Sequence, residues 1–249
     1  MATLFISDLH IDASRPAITA QFLDFLAADA AAADALYILG DLFESWIGDD
    51  APDADQARAI AGLRTLTEGG VPCFVMHGNR DFLIGERFCA LSGATLLPDP
   101  IVLTLYGQSV VVMHGDALCT DDRSYQRLRA TVRDPGWQSR FLALTLSQRR
   151  ALSVAARDGS RAHTAAAGYA ITDVNGDSVA SVLRRSGSQL LLHGHTHRPA
   201  VHEIHVDGRA CTRIVLGDWY DQGSVLRWDE RGYALALLPR AAGRAGGPE

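Results

Sequence analysis

Apolar residues in the first third of the chain come in short runs separated by longer amphipathic stretches. The runs at 4–6, 36–39 and 73–76 have the length and composition of buried strands. The stretches between them, at about 17–31 and 54–68, have helical periodicity. A β-α-β-α-β order of this kind predicts a parallel sheet with right-handed crossovers.

The pattern changes in the second half of the chain. Two apolar runs around Gly107-Gln108 predict a hairpin, and the segment 121–170 is typical of helices. Another helix precedes a strand at 189–192, and hairpin signals follow at Asp207-Gly208 and Arg231-Gly232. We therefore expect an α/β protein with a helical segment in its middle.

Composition narrows the class of protein further. The chain has 249 residues, of which 47% are hydrophobic and 21% charged, ordinary values for a globular protein. No apolar run is long enough to span a bilayer, and the first residues lack the basic stretch of a secretory signal. The four cysteines are scattered without a CxxC pair, which argues against a disulfide framework or a thiolate zinc site. We expect a protein of a reducing, cytosolic compartment.

Charge is distributed unevenly along the chain. The net charge is −6, and every basic residue is an arginine. Nine of these arginines lie in 123–161 beside two aspartates, so this segment carries +7 and the rest of the chain −13. A general nucleic-acid-binding protein would show a broadly basic domain instead, so we expect no nucleic-acid partner.

Side chains typical of metal ligands follow most of the predicted strands. Because ligands gather at the carboxyl ends of strands in open α/β sheets, these side chains should converge on one crevice. Their nitrogen and oxygen donors, without thiolate, suit Mn²⁺, Fe²⁺, Co²⁺ or Zn²⁺, and their number suits two ions that share a carboxylate. The seven candidates are Asp8, His10, Asp41, Asn79, His114, His195 and His197.

The same residues stand in motifs that resemble the signature of the calcineurin-like metallophosphoesterases. The motifs are Asp8-x-His10, Gly40-Asp41, Gly78-Asn79, His114-Gly115-Asp116 and Gly194-His195-x-His197. The resemblance implies a four-layer α/β/β/α sandwich and a dimetal site. It assigns Asp8, His10, Asp41 and His197 to one metal, and Asp41, Asn79, His114 and His195 to the other, with Asp41 bridging.

A closer resemblance covers about residues 1–238. The segments 36–50, 77–82, 114–122 and 193–203 are similar to those of the bacterial UDP-2,3-diacylglucosamine diphosphatases. That family implies hydrolysis with two Mn²⁺ ions of UDP-2,3-diacylglucosamine, in lipid A biosynthesis, to UMP and 2,3-diacylglucosamine 1-phosphate. The same resemblance implies that hydroxide held by the two metals would attack the α-phosphorus. The family also implies a peripheral enzyme on the cytoplasmic face of the inner membrane, and we expect a monomer.

The resemblance also assigns roles in the reaction and in substrate binding. It implies catalytic roles for Asp41, Asn79, Arg80 and His195. Substrate contacts fall on Asn79, Arg80, Asp122, Ser160, Thr164 and His195. Arg80 stands where the broad family often has a histidine; since arginine keeps its proton, we expect it to bind phosphate charge rather than to transfer protons.

One family contact is missing from this chain. Ala167 occupies a position where better-known relatives have a lysine that contacts the substrate. Arg157 or Arg161 is our hypothesis for a replacement.

The helical segment admits two interpretations. Its helices could pack on the core with their arginines in water, or form a cap that lines a chamber for acyl chains and contacts anionic lipid. We favour the cap, because the segment alternates apolar and arginine side chains. Apolar side chains suit the two acyl chains of the substrate, and arginines suit its pyrophosphate. The expected organisation is a core of 1–120 and 171–240, an inserted lipid-binding cap at 121–170, and a flexible tail at 241–249.

Two other functions stay open on the sequence. The chain could be a metallophosphoesterase for a soluble nucleotide or phosphodiester, which the apolar, arginine-rich segment argues against. It could also be a catalytically silent binding module, which the complete set of seven ligand types argues against.

Overall fold

The computed structural model of the chain describes the backbone of residues 1–166, 173–220 and 223–238, and their side chains except those of 160–166. The strands are β1 Thr3–Ile6, β2 Ala35–Ile38, β3 Cys73–Met76, β4 Thr95–Leu97, β5 Ile101–Leu105, β6 Gln108–Met113, β7 Leu190–His193, β8 Ala200–Val206, β9 Arg209–Val215, β10 Gly223–Asp229 and β11 Gly232–Leu238. The helices are α1 Pro16–Ala28, α2 Ala54–Glu68, α3 Glu86–Ser92, α4 Arg123–Val132, α5 Pro135–Leu142, α6 Leu146–Ala166 and α7 Gly176–Ser186.

The strands form two mixed sheets. The first has six strands in the order β11-β10-β1-β2-β3-β4. Its β1, β2 and β3 pair in parallel as the alternating pattern predicts, and β4 continues the parallel pairing. The second has five strands in the order β5-β6-β7-β9-β8. The hairpins predicted around Gly107, Asp207 and Gly232 are present as β5–β6, β8–β9 and β10–β11.

Three apolar clusters separate four layers. Phe22 of α1 and Leu63 of α2 pack with the outer face of the six-stranded sheet. A second cluster lies between the sheets, where Phe5 and Trp228 meet residues such as Ile214 of the other sheet. A third cluster joins α7 to the far face of the five-stranded sheet. The predicted α/β/β/α sandwich is therefore confirmed.

Local signals explain most element boundaries. Helix α2 begins with a capping box, in which the Asp53 side chain accepts from Gln56 N while the Gln56 side chain accepts from Asp53 N. Its observed bounds are those that the sequence predicts. The seven-residue α3 and the three-residue β4 are not predicted, because elements this short carry too few periods to stand out.

Helices α4, α5 and α6 occupy the segment for which the sequence predicts an inserted cap. The side chains of Asp122 and Asp134 accept backbone N–H groups at the starts of α4 and α5. No described helix has the length and hydropathy that crossing a membrane requires. The end of the predicted cap at 167–170 and the predicted tail at 241–249 lie outside the described residues.

Candidate active site

The loops that follow the strands hold five of the predicted metal ligands in an unusual backbone conformation. These residues have positive φ: Asp8 56°, His10 53°, Asp41 51°, His195 67° and His197 56°. Positive φ is uncommon for residues other than glycine and concentrates at functional sites. Backbone hydrogen bonds hold the loops in place, including Asp8 N to Gly40 O at 3.1 Å and His10 N to Asp41 O at 3.0 Å.

Glycines beside the ligands permit close approach of the loops. A Cβ on Gly78 would lie 2.1 Å from Asp41 Oδ1, and one on Gly194 would lie 2.4 Å from Asp8 Oδ2. No side chain fits at these distances. The glycine before Asn79 and the glycine before His195 are therefore explained by space rather than by turn geometry.

Asp8, His10 and His197 form one group of converging ligand atoms. The Nε2 atoms of the two imidazoles are 3.2 Å apart, and Asp8 Oδ1 lies 3.3 Å from His197 Nε2. Two ring nitrogens this close need a proton or a cation between them. Asp8 Oδ1 is buried and has no hydrogen-bond partner, so it is free to accept a cation.

A second group comprises Asp8, Asp41 and His114. Asp41 turns its oxygens to different sides, with Oδ2 3.7 Å from His10 Nε2 and Oδ1 3.9 Å from His114 Nε2. Asn79 Oδ1 lies 3.0 Å from His114 Nε2 and 2.8 Å from His195 Nδ1. The structure thus brings all seven predicted ligand side chains together.

The electrostatics favour positive charge on two of the candidate histidines, His114 and His197, whereas burial and the charge of His114 lower the pKa of His195 to about 4. Burial alone would lower the imidazole pKa values, but Asp41 and Asp116 raise the pKa of His114 to about 9. Asp8 and Asp218 likewise raise the pKa of His197 to about 10. Because ligation needs a neutral imidazole, a divalent cation would take the place of these protons. Donor types, burial and charge all fit such ions.

Three of the candidate ligands have a carboxylate or carbonyl oxygen close to their other ring nitrogen. Nδ1 of His10 lies 3.0 Å from Glu44 Oε2, and Nδ1 of His197 lies 3.1 Å from Asp218 Oδ2. His114 Nδ1 lies 2.9 Å from Leu39 O. Such contacts set the tautomer and ring orientation of a ligating histidine.

Sequence reasoning missed two of these partners. Glu44 lies three residues after Asp41, within the segment 36–50 that resembles the diphosphatases, and this position was the available signal. Asp218 lies three residues after the end of β9. Its position after a strand, where the other candidate ligands also lie, could have predicted that it belongs to the site. Asp81 lies two residues after Asn79, and its buried carboxylate accepts from Gly78 N and Leu42 N, both at 2.8 Å.

Asp116 joins the core to α4. Its Oδ2 accepts from Tyr125 Oη at 2.6 Å and from Arg129 Nε at 2.7 Å. The Tyr125 ring in turn stacks on His195, with centroids 6.1 Å apart. The predicted cap therefore reaches one of the candidate ligands directly.

A cavity of about 530 Å³ lies between the three helices and the core. Its wall is mostly apolar: Trp46, Ile47, Phe82, Leu83, Leu128, Val132, Trp137, Phe141, Leu144, Leu152 and Ala156. Asn79 and Arg80 line the same cavity. The cavity therefore connects an apolar chamber to the cluster of candidate ligands.

The residues predicted to contact substrate do not all lie in the cavity wall. Arg80 lines the cavity, and no carboxylate of the described residues lies within ion-pair distance of its guanidinium, although its charge helps to lower the pKa of Glu44. Asp122 uses Oδ1 to cap α4, 2.9 Å from Tyr125 N. Ser160 and Thr164 lie on α6, but their side chains are outside the described residues, as is Ala167.

Arg157 is one of the two arginines that could replace the missing lysine contact, but its guanidinium already pairs with carboxylates of this chain. Arg157 Nη2 donates to Glu44 Oε1 at 2.7 Å, and its Nη1 lies 4.0 Å from Asp12 Oδ2. Arg161 lies outside the described side chains and stays a hypothesis.

Comparison with known proteins assigns the family. Residues 1–199 match the family model described as calcineurin-like phosphoesterase. The chain belongs to this family. The phosphoesterase match ends just after His197 and so spans all seven candidate ligands. The resemblance predicted from the motifs is confirmed.

Two curated relatives are similar to the phosphoesterase over nearly their whole length. The UDP-2,3-diacylglucosamine hydrolase of Stenotrophomonas maltophilia (strain R551-3) is 51% identical over 247 residues, covering 96% of this chain and 100% of that protein. The UDP-2,3-diacylglucosamine hydrolase of Xanthomonas oryzae pv. oryzae (strain PXO99A) is 51% identical over 242 residues, covering 94% and 98%.

Proposed function

We propose that this phosphoesterase hydrolyses the pyrophosphate bond of UDP-2,3-diacylglucosamine, giving UMP and 2,3-diacylglucosamine 1-phosphate in lipid A biosynthesis. The supporting observation is the apolar cavity that ends at Asn79 and Arg80, beside the seven candidate ligands. The apolar part of the cavity suits the two acyl chains of this substrate, and the end at Asn79 and Arg80 suits its pyrophosphate. The names of the curated relatives point to the same substrate.

The cluster would hold two divalent cations; its nitrogen and oxygen donors suit Mn²⁺, Fe²⁺, Co²⁺ or Zn²⁺, and we propose Mn²⁺ because the resemblance to the diphosphatases implies it. Asp8, His10, Asp41 and His197 would hold one ion, and Asp41, Asn79, His114 and His195 the other. The opposed oxygens of Asp41 support its role as the bridge. Two such ions supply Lewis acidity toward phosphoryl oxygens and an activated water.

Arg80 would bind the pyrophosphate, since its guanidinium matches phosphate oxygens in a forked geometry. His195 would contact substrate oxygen, held in orientation by Asn79 and by the stacked Tyr125. Attack of water at the α-phosphorus leaves the bridging oxygen on the lipid phosphate. That phosphate leaves without a proton donor, which agrees with an arginine rather than an acid at position 80.

The cap would hold the acyl chains and keep bulk water from the pyrophosphate. It would also contact the membrane surface, so that the enzyme is peripheral on the cytoplasmic face of the inner membrane. The exposed apolar side chains Leu142 and Val154, which lie on the cap outside the cavity wall, support this placement, together with the net positive charge of the cap.

A comparison of substrates tests the proposal. The metal-stripped enzyme is reloaded with Mn²⁺ and offered UDP-2,3-diacylglucosamine in detergent, beside UDP-N-acetylglucosamine without long acyl chains. We expect turnover of the diacylated substrate alone, and only after metal is added. Turnover of the deacylated nucleotide at a similar kcat/KM would favour a phosphoesterase for soluble nucleotides instead.

A further inference from the structure

Helix α6 contacts the loop after β2 through three residues spaced four apart. Residues at this spacing lie on one face of a helix, so they form a row along α6. The loop residues that meet this row run in the opposite direction along the chain. The pairs are Arg149 with Asp50, Ser153 with Ser45 at 2.6 Å between hydroxyls, and Arg157 with Glu44 at 2.7 Å.

The last pair of the row extends into the candidate metal cluster. Glu44 accepts from Arg157 with Oε1, while its Oε2 lies 3.0 Å from His10 Nδ1. The other ring nitrogen of His10 faces His197 at 3.2 Å. A continuous path of side chains therefore runs from the cap, through one carboxylate, to a candidate ligand.

Both residues at the inner end of this path, Glu44 and His10, are buried. The Glu44 and His10 side chains are only 5% and 2% exposed, so water does not compensate for a lost partner. A carboxylate on the free nitrogen of a ligating histidine fixes the orientation of the ring and strengthens it as a ligand. Tyr220 stacks on the same ring, with centroids 5.1 Å apart, which leaves His10 few alternative orientations.

We propose that Glu44 is a positioning residue for His10, and that Arg157 of the cap keeps Glu44 in place. The contact between Arg157 and Glu44, rather than docking of the cap as a whole, then sets the affinity of the metal site that contains His10. By linkage, metal bound at this site favours the Arg157–Glu44 contact to the same degree. The proposal rests on the metal-binding function proposed above.

Arg149 supplies a matched control. It docks the same helix to the same loop, through Asp50 and the carbonyl oxygen of Ile47 at 2.7 Å. Neither partner touches a candidate metal ligand. Loss of Arg149 therefore loosens the cap without disturbing the contact between Glu44 and His10.

The experiment titrates metal-free protein with Mn²⁺ by calorimetry, and follows free Mn²⁺ by electron paramagnetic resonance. We expect Glu44→Gln to weaken one of two sites by about 10–100-fold. Arg157→Ala should weaken the same site to a smaller degree, and Arg157→Lys should recover part of the loss. Arg149→Ala should leave both dissociation constants unchanged.

The double variant Glu44→Gln/Arg157→Ala should bind Mn²⁺ no more weakly than Glu44→Gln, because Arg157 acts through Glu44. Additive losses would overturn the proposal, as would equal weakening by Arg149→Ala and Arg157→Ala. If Glu44→Gln does not fold, the comparison of these two arginine variants decides. A wild-type protein that binds no Mn²⁺ would overturn the proposed function as well, whereas wild-type binding with unchanged Glu44→Gln overturns this link alone.

Discussion

Arg149 of α6 forms a bidentate ion pair with Asp50 of the loop after β2. Its Nη1 lies 2.8 Å from Oδ1 and its Nη2 lies 2.5 Å from Oδ2. The arginine side chain is 5% exposed and the aspartate 51%. This paired contact fixes α6 to the loop after β2.

The pair predicts a pH dependence of stability. The hydrogen bond from Arg149 lowers the pKa of Asp50. A carboxylate with a lowered pKa in the folded state stabilises above its unfolded-state pKa of about 3.9, and this stabilisation is lost as pH falls further. We expect Asp50→Asn to lower Tm modestly at neutral pH, because the aspartate is half-exposed, with a difference that shrinks below about pH 4.

Thermal unfolding at several pH values measures this effect. Asp24→Asn on α1 is the control, since Asp24 is exposed and should show no such difference. A Tm difference for Asp50→Asn that grows toward low pH would contradict the expectation.

Gly78→Ala should damage the metal cluster directly. Its methyl group would lie 2.1 Å from Asp41 Oδ1, so Asp41 must move. Overpacking of this kind costs about 1–3 kcal/mol of stability, and we expect weaker Mn²⁺ binding in addition. Gly176→Ala is the matched control because nothing lies within 4 Å of its added Cβ. Unchanged Mn²⁺ affinity in Gly78→Ala would be inconsistent with Asp41 as a ligand.

Arg80→Ala should slow the reaction without loss of metal. The guanidinium faces the cavity without an ion-pair partner among the described residues, which leaves it free for phosphate. Loss of one such charged donor should reduce kcat/KM by about 10²–10³-fold. Arg80→Lys should recover only part, since a lysine lacks the forked geometry. Steady-state kinetics with metal analysis checks this, and full activity of Arg80→Ala would remove Arg80 from the mechanism.

Ala156→Trp should block the chamber while leaving the metal cluster intact. Ala156 lines the cavity, whereas Ala155 beside it on α6 does not. We expect Ala156→Trp to raise KM for the diacylated substrate about tenfold or more, the effect of losing roughly 1.4 kcal/mol of binding. Ala155→Trp is the control. Equal KM values for the two variants would mean that the acyl chains lie elsewhere.

The sequence predicted that these side chains converge, because strand ends in an α/β sheet meet at one edge. The positions of Asp8, Asp41 and His114 follow from that rule alone. The partners of the ligands depend on how loops cross each other, so Glu44 and Asp218 were not predicted. The sequence likewise predicted that Arg157 lies on a helix, but it could not predict that Arg157 pairs with Glu44.

The most direct measurement of the central claim is the destination of oxygen from water. UDP-2,3-diacylglucosamine is hydrolysed in ¹⁸O-water by the Mn²⁺-loaded enzyme, and both products are analysed by mass spectrometry. The account predicts that UMP carries the label and that 2,3-diacylglucosamine 1-phosphate carries none. Label in the lipid phosphate would place the attack on the other phosphorus, and no turnover by protein with two bound metals would contradict the proposed substrate.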